Sequence, residues 1–104
     1  MTVDLARVTT LMDAVKRTAM EIPLVYQAGG SPLATEQQAL QLFRKVAAML
    51  SEVLVIAPAG SIRYAVAEKL HAKVVSQLID SARACTELER IESIMSEARG
   101  QTLH

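Results

Sequence analysis

Histidine and cysteine, the residue types that most often supply a catalytic base and a nucleophile, are rare in this chain. The 104 residues include two histidines, His71 and His104, and one cysteine, Cys85. Nucleophilic catalysis needs a base within hydrogen-bonding reach of the nucleophile. Cys85 follows His71 by 14 residues, about 21 Å along a straight helix, so the two could meet only between subunits. The sequence therefore predicts no enzyme and no catalytic residue, and Cys85 is expected to be a buried structural thiol.

Two short motifs partly match known metal-binding or phosphate-binding sequences. Residues 68–71 read Glu-Lys-Leu-His, the Glu-x-x-His spacing of carboxylate di-metal bundles, but those sites need two such motifs and two further glutamates. The Gly-Gly pair within residues 27–32 lacks the additional glycines and the Lys-Ser or Lys-Thr of a phosphate-binding loop. We therefore expect a solvent-facing Glu68 and His71, a flexible connector at the Gly-Gly pair, and no metal, cofactor or small-molecule substrate.

The charge pattern gives little support to nucleic-acid binding, which we keep as an alternative function. Eleven Lys plus Arg balance eleven Asp plus Glu, so the chain has no net field to attract a phosphate backbone. Residues 67–76 resemble a helix-turn-helix, but the turn glycine is missing and the stretch is too short for two helices. Residues 44–83 are mildly basic, with six cations against three acids: Arg44, Lys45, Arg63, Lys69, Lys73 and Arg83 against Glu52, Glu68 and Asp80.

Apolar residues recur every three or four positions near the start of the chain, which predicts a first helix over residues 4–22. Asp4 is a suitable N-cap because its carboxylate can accept from the free amides of the first turn. Pro23 disfavours helical geometry at the residue before it, so we expect the helix to end at Ile22 and a linker to cover residues 23–31. The apolar stripe of this helix is Leu5, Val8, Met12, Val15, Ala19 and Ile22.

A second helix is predicted over residues 32–57, a linker over 58–60 and a third helix over 61–99. The second helix is apolar around more than half of its circumference, which is typical of the central helix in a bundle. No strand pattern is present, so the chain is expected to be a single all-α domain, residues 1–104, with three main helices.

The third segment is the most unusual part of the chain, because it runs from residue 61 to residue 99 without Gly or Pro. Its apolar residues have an average step of about 3.67, closer to a straight helix than to a coiled coil. This apolar stripe is Ile62, Val66, Leu70, Val74, Leu78, Ala82, Cys85, Leu88, Ile91 and Met95. Weak start signals near residues 80–86 leave a break in the helix open. Gly100 is expected to end the segment.

A continuous helix of this length would overhang a compact domain of 104 residues, whose radius of gyration is about 13 Å. The chain is also 51% hydrophobic, more than a small domain can bury alone. We therefore predict a helical-bundle homodimer and a protein-binding surface on the third segment. For Leu88, Ile91, Ile94 and Met95, packing on the first helix of the same chain is the alternative. The predicted interface residues are Val74, Leu78, Cys85, Leu88, Ile91, Ile94 and Met95.

Two features predict a soluble, cytoplasmic protein. The single cysteine is consistent with a reducing compartment, and the first residues lack the apolar segment of a secretory signal. The most apolar stretch, residues 46–57, contains Ser51 and Glu52 and is shorter than the roughly 20 residues of a membrane span. We therefore expect no association with a membrane.

The chain resembles the QslA-like small helical antiactivators, which bind and disable a LuxR-type quorum-sensing regulator. The resemblance covers the whole chain and rests on residues 2–5, Thr-Val-Asp-Leu, the linker at Gly29 and Gly30, and the long 61–99 segment. It implies a dimer that sequesters a transcription factor through protein contacts alone, without catalysis. It carries no diagnostic motif, so no binding residue is transferred from it.

The residues and the resemblance together predict a non-enzymatic regulatory protein that acts by association with another protein, most concretely by sequestering a transcriptional regulator. One alternative is a structural or chaperone-like accessory subunit of a larger assembly. A second alternative is a small DNA-binding protein.

Overall fold

The computed structural model describes residues 4–102, which form three α-helices: α1 (Leu5–Ala28), α2 (Pro32–Ile56) and α3 (Ile62–Thr102). No described residue lies in a β-strand, so the predicted all-α fold is confirmed. Helices α1 and α3 each pack on α2, and no described Cα atom of α1 lies within 8 Å of one in α3. The apolar second helix is therefore central, as predicted.

Side-chain caps fix where each helix begins. Asp4, Ser31 and Ser61 each accept a hydrogen bond from the backbone N–H three residues later, at 2.9, 3.4 and 3.1 Å. These bonds satisfy amides that the first helical turn leaves without a partner. The short connection between α2 and α3 contains Gly60 with a φ of +88°, a backbone conformation that residues with a side chain rarely adopt.

Helix α1 does not end at Ile22. It continues through Pro23 for a further five residues, so the predicted helix end and the predicted linker from residue 23 are wrong. An interior proline removes one backbone hydrogen bond and crowds the preceding turn. Contacts beyond the proline offset this cost, since the Tyr26 hydroxyl donates a 2.7 Å hydrogen bond to Glu36 on α2. The tertiary contact thus outweighs the local preference.

The hydrophobic core lies along the central helix and near the α2–α3 connection. Its main cluster is built from aliphatic side chains, with Tyr64 packed at its edge, and the ring of Phe43 on α2 is also buried. Val8, Val46, Leu50 and Val53 are the largest side chains that are fully buried. The complete cluster is Val8, Leu11, Val15, Val46, Leu50, Val53, Ala57 and Ala67.

The face of α3 that packs on α2 differs from the predicted apolar stripe. A line of buried and half-buried positions advances in alternating steps of three and four: Tyr64, Ala67, His71, Val74, Leu78, Ser81, Cys85 and Leu88. This is heptad spacing, which keeps one side of a helix against its neighbour. Ile62, Val66 and Leu70, at the start of the predicted stripe, are exposed instead. The predicted stripe is therefore wrong at the start of α3, whereas Val74, Leu78, Cys85 and Leu88 belong to both the predicted and the observed line.

Helix α3 is continuous and longer than the other two, so the alternative of a break near residues 80–86 is not found. Its 41 residues correspond to about 61 Å, whereas the 25 residues of α2 correspond to about 37 Å. Gly100 lies within α3 and does not end it. The molecule measures 70 × 22 × 18 Å, with a radius of gyration of 18.4 Å, so the predicted overhang is confirmed.

Candidate protein-binding site

The C-terminal part of α3 extends past the helix that covers the rest of it. Ser31 and Ala34, at the start of α2, line a cleft of about 710 Å³ together with Cys85 and Glu89 of α3. The start of α2 therefore lies opposite Cys85 and Glu89, and residues 89–100 are all exposed. We call residues 89–102 the arm. The arm is the part of the described chain that has no helix packed beside it.

The predicted interface residues fall into two groups. Leu88 is half-buried at the base of the arm, and Ile91, Ile94 and Met95 are 46, 57 and 55% exposed. The arm residues are therefore accessible to a partner. Because Ile91, Ile94 and Met95 are exposed, the alternative that they pack on the first helix is wrong.

The second group lies inside the chain's own packing. Val74 packs against the hydrophobic core, Leu78 is half-buried on the line that faces α2, and Cys85 is only 5% exposed. At this exposure Cys85 offers almost no surface to a partner, although it lines the cleft between α2 and α3. The assignment of Cys85 to the interface is therefore corrected to a core position, which agrees with its expected role as a structural thiol.

Leu88, Ile91 and Met95 form a single apolar stripe, which we call the arm stripe. They are spaced by three and four residues, so they lie on one side of the helix. Ile91 also lies seven residues after Ala84, which lines a groove between the helices together with Tyr26 of α1. Residues seven apart lie on nearly the same side of a helix. The arm stripe therefore extends the line of this groove beyond the bundle.

One acidic side chain borders the arm stripe on each side near its base, while Ile94 and Arg99 occupy the same two flanks one heptad further along. Glu87 precedes Leu88 and Glu92 follows Ile91, and these are the two positions that flank the apolar seam in a pair of helices. Glu87 also forms an ion pair with Arg90, one turn away on the same helix, with 2.9 Å between the guanidinium nitrogen and the carboxylate oxygen. Both partners of this pair are well exposed, and such surface pairs contribute little to stability.

A hydrogen-bond cluster joins all three helices below the base of the arm. One oxygen of the Glu36 carboxylate on α2 accepts from the Tyr26 hydroxyl of α1 and from the Ser81 hydroxyl of α3, each at 2.7 Å. Ser81 is only 4% exposed. Because a buried hydroxyl without a partner is costly, the cluster favours one register of α3 along α2. That register determines how much of α3 projects as the arm.

The pKa values of Tyr26, in this cluster, and of the nearby Cys85 are both raised. Burial, together with the hydrogen bond to Glu36, raises the pKa of Tyr26 to about 12. Burial also raises the pKa of the Cys85 thiol, and the carboxylates of Glu36 and Glu89 raise it further. The thiolate is the reactive form of cysteine, so this environment makes Cys85 a poor nucleophile.

One contact of His71 could not be predicted from the sequence. Its Nε2 atom lies 3.0 Å from the hydroxyl of Ser51 on α2, and the half-buried ring is therefore part of the α2–α3 contact and does not face solvent as predicted. Within residues 4–102, no carboxylate is hydrogen-bonded to the ring as the third member of a catalytic triad would be. Ser51 is twenty residues earlier in the chain, so no local motif could have indicated the pair.

Two other classes of site are absent from the described part of the chain. Among residues 4–102 no group of three or more His, Cys, Asp and Glu side chains is placed to hold a metal ion. None of the three helices combines the length and the apolar character that a bilayer crossing requires, as far as the structure describes them. The arm stripe is thus the candidate site that the described residues support.

Comparison of the chain with protein-family models, with curated proteins and with solved structures finds no match. The fold and the candidate site are therefore interpreted from the residues of this chain and their geometry.

Proposed function

We propose that this chain is a non-enzymatic regulatory protein that acts by associating with other proteins, and that it sequesters a transcriptional regulator. The observation that carries the proposal is the arm stripe, which presents Ile91 and Met95 where no described helix packs, next to the half-buried Leu88 at the base of the arm. Anchors at this spacing are how an amphipathic helix binds an apolar surface of a partner.

Two further features support association. Large apolar side chains are also exposed at the other end of the bundle, where Leu5 and Ile62 line one cleft. Contiguous apolar surface of this kind commonly marks a protein-binding site. The resemblance to the QslA-like antiactivators suggests a transcriptional regulator as the partner. The homodimer stays a prediction, which light scattering over a range of concentrations would test.

The experiment that tests this function is affinity capture of the tagged full-length protein from its native lysate, with nuclease treatment and identification of bound proteins by mass spectrometry. A transcriptional regulator retained in near-stoichiometric amounts supports the proposal. An assembly subunit in its place would indicate the accessory-subunit alternative. Recovery that nuclease abolishes, and that Lys69→Glu with Lys73→Glu also abolishes, would indicate DNA binding.

A matched pair of variants tests whether the arm stripe is the surface used. Ile91→Glu places a charge in the stripe, whereas Ser93→Glu places the same charge on the exposed opposite side of the arm. We expect the first variant to lose the captured regulator and the second to retain it. If both variants retain it, the binding surface lies elsewhere in the molecule.

A further inference from the structure

We infer that the arm stripe binds an amphipathic helix of another protein whose apolar face is flanked by lysine or arginine. The inference deepens the proposed function and rests on it, because it names the chemistry of the partner that the arm would hold. The stripe itself supplies apolar contacts that are common to many helices. The selectivity comes from the charges beside it.

The charges on the arm are complementary to those of a basic partner. The arm and its base, residues 87–99, contain Glu87, Glu89, Glu92 and Glu97 against Arg90 and Arg99. Two of the four carboxylates, those of Glu87 and Glu92, occupy the positions that flank the seam. Side chains at these positions determine which partner a helix accepts and in which orientation. A partner with basic flanks would therefore place opposite charges on both sides of the contact.

The same charges disfavour a second copy of this chain on the arm stripe. In a parallel pair of identical arms, Glu87 of one copy would face Glu92 of the other. In an antiparallel pair, each flank faces the same flank of the other copy, so the two Glu92 carboxylates would face each other. Like charges across a helix interface select against that partner. The predicted homodimer would thus need a surface other than the arm.

The arm stripe is also aligned with a groove in the bundle. Ile91 lies on the line of the groove between α1 and α3, which Tyr26, Gln77 and Ala84 border. A helix bound along the arm could therefore continue toward the bundle. Asp80 also borders this groove, so negative charge follows the path from the arm to the bundle.

Two synthetic helical peptides test the inference with the full-length protein. Both carry the same leucine stripe over about five turns, and one has Lys while the other has Glu at every flanking position. Fluorescence anisotropy of the labelled peptides measures their affinities. We expect the Lys-flanked peptide to bind at least about tenfold more tightly at low salt, and the ratio to shrink in 0.5 M salt, where the Debye length is only about 4 Å.

Variants then assign the preference to the arm. Ile91→Glu should abolish binding of the Lys-flanked peptide, and Ser93→Glu should leave it unchanged. Glu87→Lys combined with Glu92→Lys should reverse the preference in favour of the Glu-flanked peptide, with circular dichroism confirming that the variant remains helical. Equal affinities for the two peptides, or a preference that the charge reversal does not change, would overturn the inference.

A second copy of this chain is the other molecule that the arm stripe could bind, and the oligomeric state tests it. If the protein dimerises with increasing concentration and Ile91→Glu alone abolishes the dimer, the arm binds itself and the inference is overturned. Failure of the peptides to discriminate while the regulator is still captured would overturn only the partner chemistry. Discrimination between the peptides without capture of a regulator would support the inference and overturn the proposed function.

Discussion

Ser81 on α3 donates a 2.7 Å hydrogen bond to the Glu36 carboxylate on α2, although the two residues are 45 positions apart in the sequence. Tyr26 of α1 donates to the same carboxylate oxygen. One acceptor thus joins three helices near the start of α2, about two turns before the arm begins on α3. A sliding of α3 along α2 would break this contact, so the cluster links the register of the bundle to the length of arm that a partner can reach.

Replacing Glu36 should destabilise the fold more than replacing either donor. Glu36→Ala leaves both hydroxyls without their acceptor, and we expect it to lower the free energy of unfolding by about 1–3 kcal/mol, compared with about 1 kcal/mol for Ser81→Ala. Urea denaturation followed by circular dichroism measures both values, with Glu68→Ala on the exposed face of α3 as control. Equal, small effects for all three variants would mean that the cluster does not stabilise the bundle.

The titration of Tyr26 should report the same cluster. Its pKa is raised to about 12 by burial and by the hydrogen bond to Glu36, against about 10 for an unperturbed tyrosine. The fold therefore favours the protonated phenol, and this contribution to stability is complete below pH 10 and is lost as the pH rises from about 10 through 12. Ultraviolet absorbance of the phenolate should show a late transition that Tyr26→Phe removes. Glu36→Gln should shift that transition to lower pH.

Cys85 should be protected from thiol reagents until the chain unfolds. The side chain is 5% exposed, and its raised pKa keeps it in the unreactive thiol form at neutral pH. We expect modification by an aromatic disulfide reagent to be at least about 100-fold slower in the native protein than in urea, because reaction requires opening of the α2–α3 contact. A native rate equal to the unfolded rate would show that this contact opens freely.

The number of helices and the central place of α2 could be predicted from the sequence because both follow from local signals. Asp4, Ser31 and Ser61 are residue types that cap helices, and all three do so here. The exceptional length of α3 was equally visible, since Gly and Pro are absent from residues 61–99.

The face of α3 could be predicted only in part, because it depends on which residues α2 can accommodate. Ala67, Ser81 and Cys85 are small enough to lie close to a neighbouring helix, and they are buried where larger residues such as Ile62 are not. Ser81 is polar and so was absent from an apolar stripe, yet it is satisfied by Glu36 from another helix. Val74, Leu78, Cys85 and Leu88 of the predicted stripe do lie on the face that packs on α2. The apolar pattern fails mainly at the start of the helix, where Ile62, Val66 and Leu70 are exposed.

Replacing Pro23 tests how much stability the proline costs in the interior of α1. Pro23→Ala restores a backbone N–H and relieves crowding in the middle of the helix, where proline costs up to about 3 kcal/mol relative to alanine. The greater freedom of the unfolded alanine chain offsets part of the gain. We therefore expect the free energy of unfolding to rise by about 1–2 kcal/mol in urea denaturation. A decrease would mean that the backbone geometry which proline imposes at residue 23 is needed to bring Tyr26 to Glu36.

Charged substitutions in the arm should separate binding from stability. Ile91→Glu and Met95→Glu lie where no other helix packs, and we expect each to change the free energy of unfolding by no more than about 0.5 kcal/mol, as is usual for surface substitutions. Leu50→Ala, in the fully buried core, should cost about 2–5 kcal/mol and serves as the reference for a structural residue. The same urea denaturation series measures all three variants. If the arm variants are as unstable as Leu50→Ala, Ile91 and Met95 are covered in solution by a second copy or by the chain itself, and their exposure would not indicate a binding site. If they are stable, any loss of partner capture reports the loss of a binding surface.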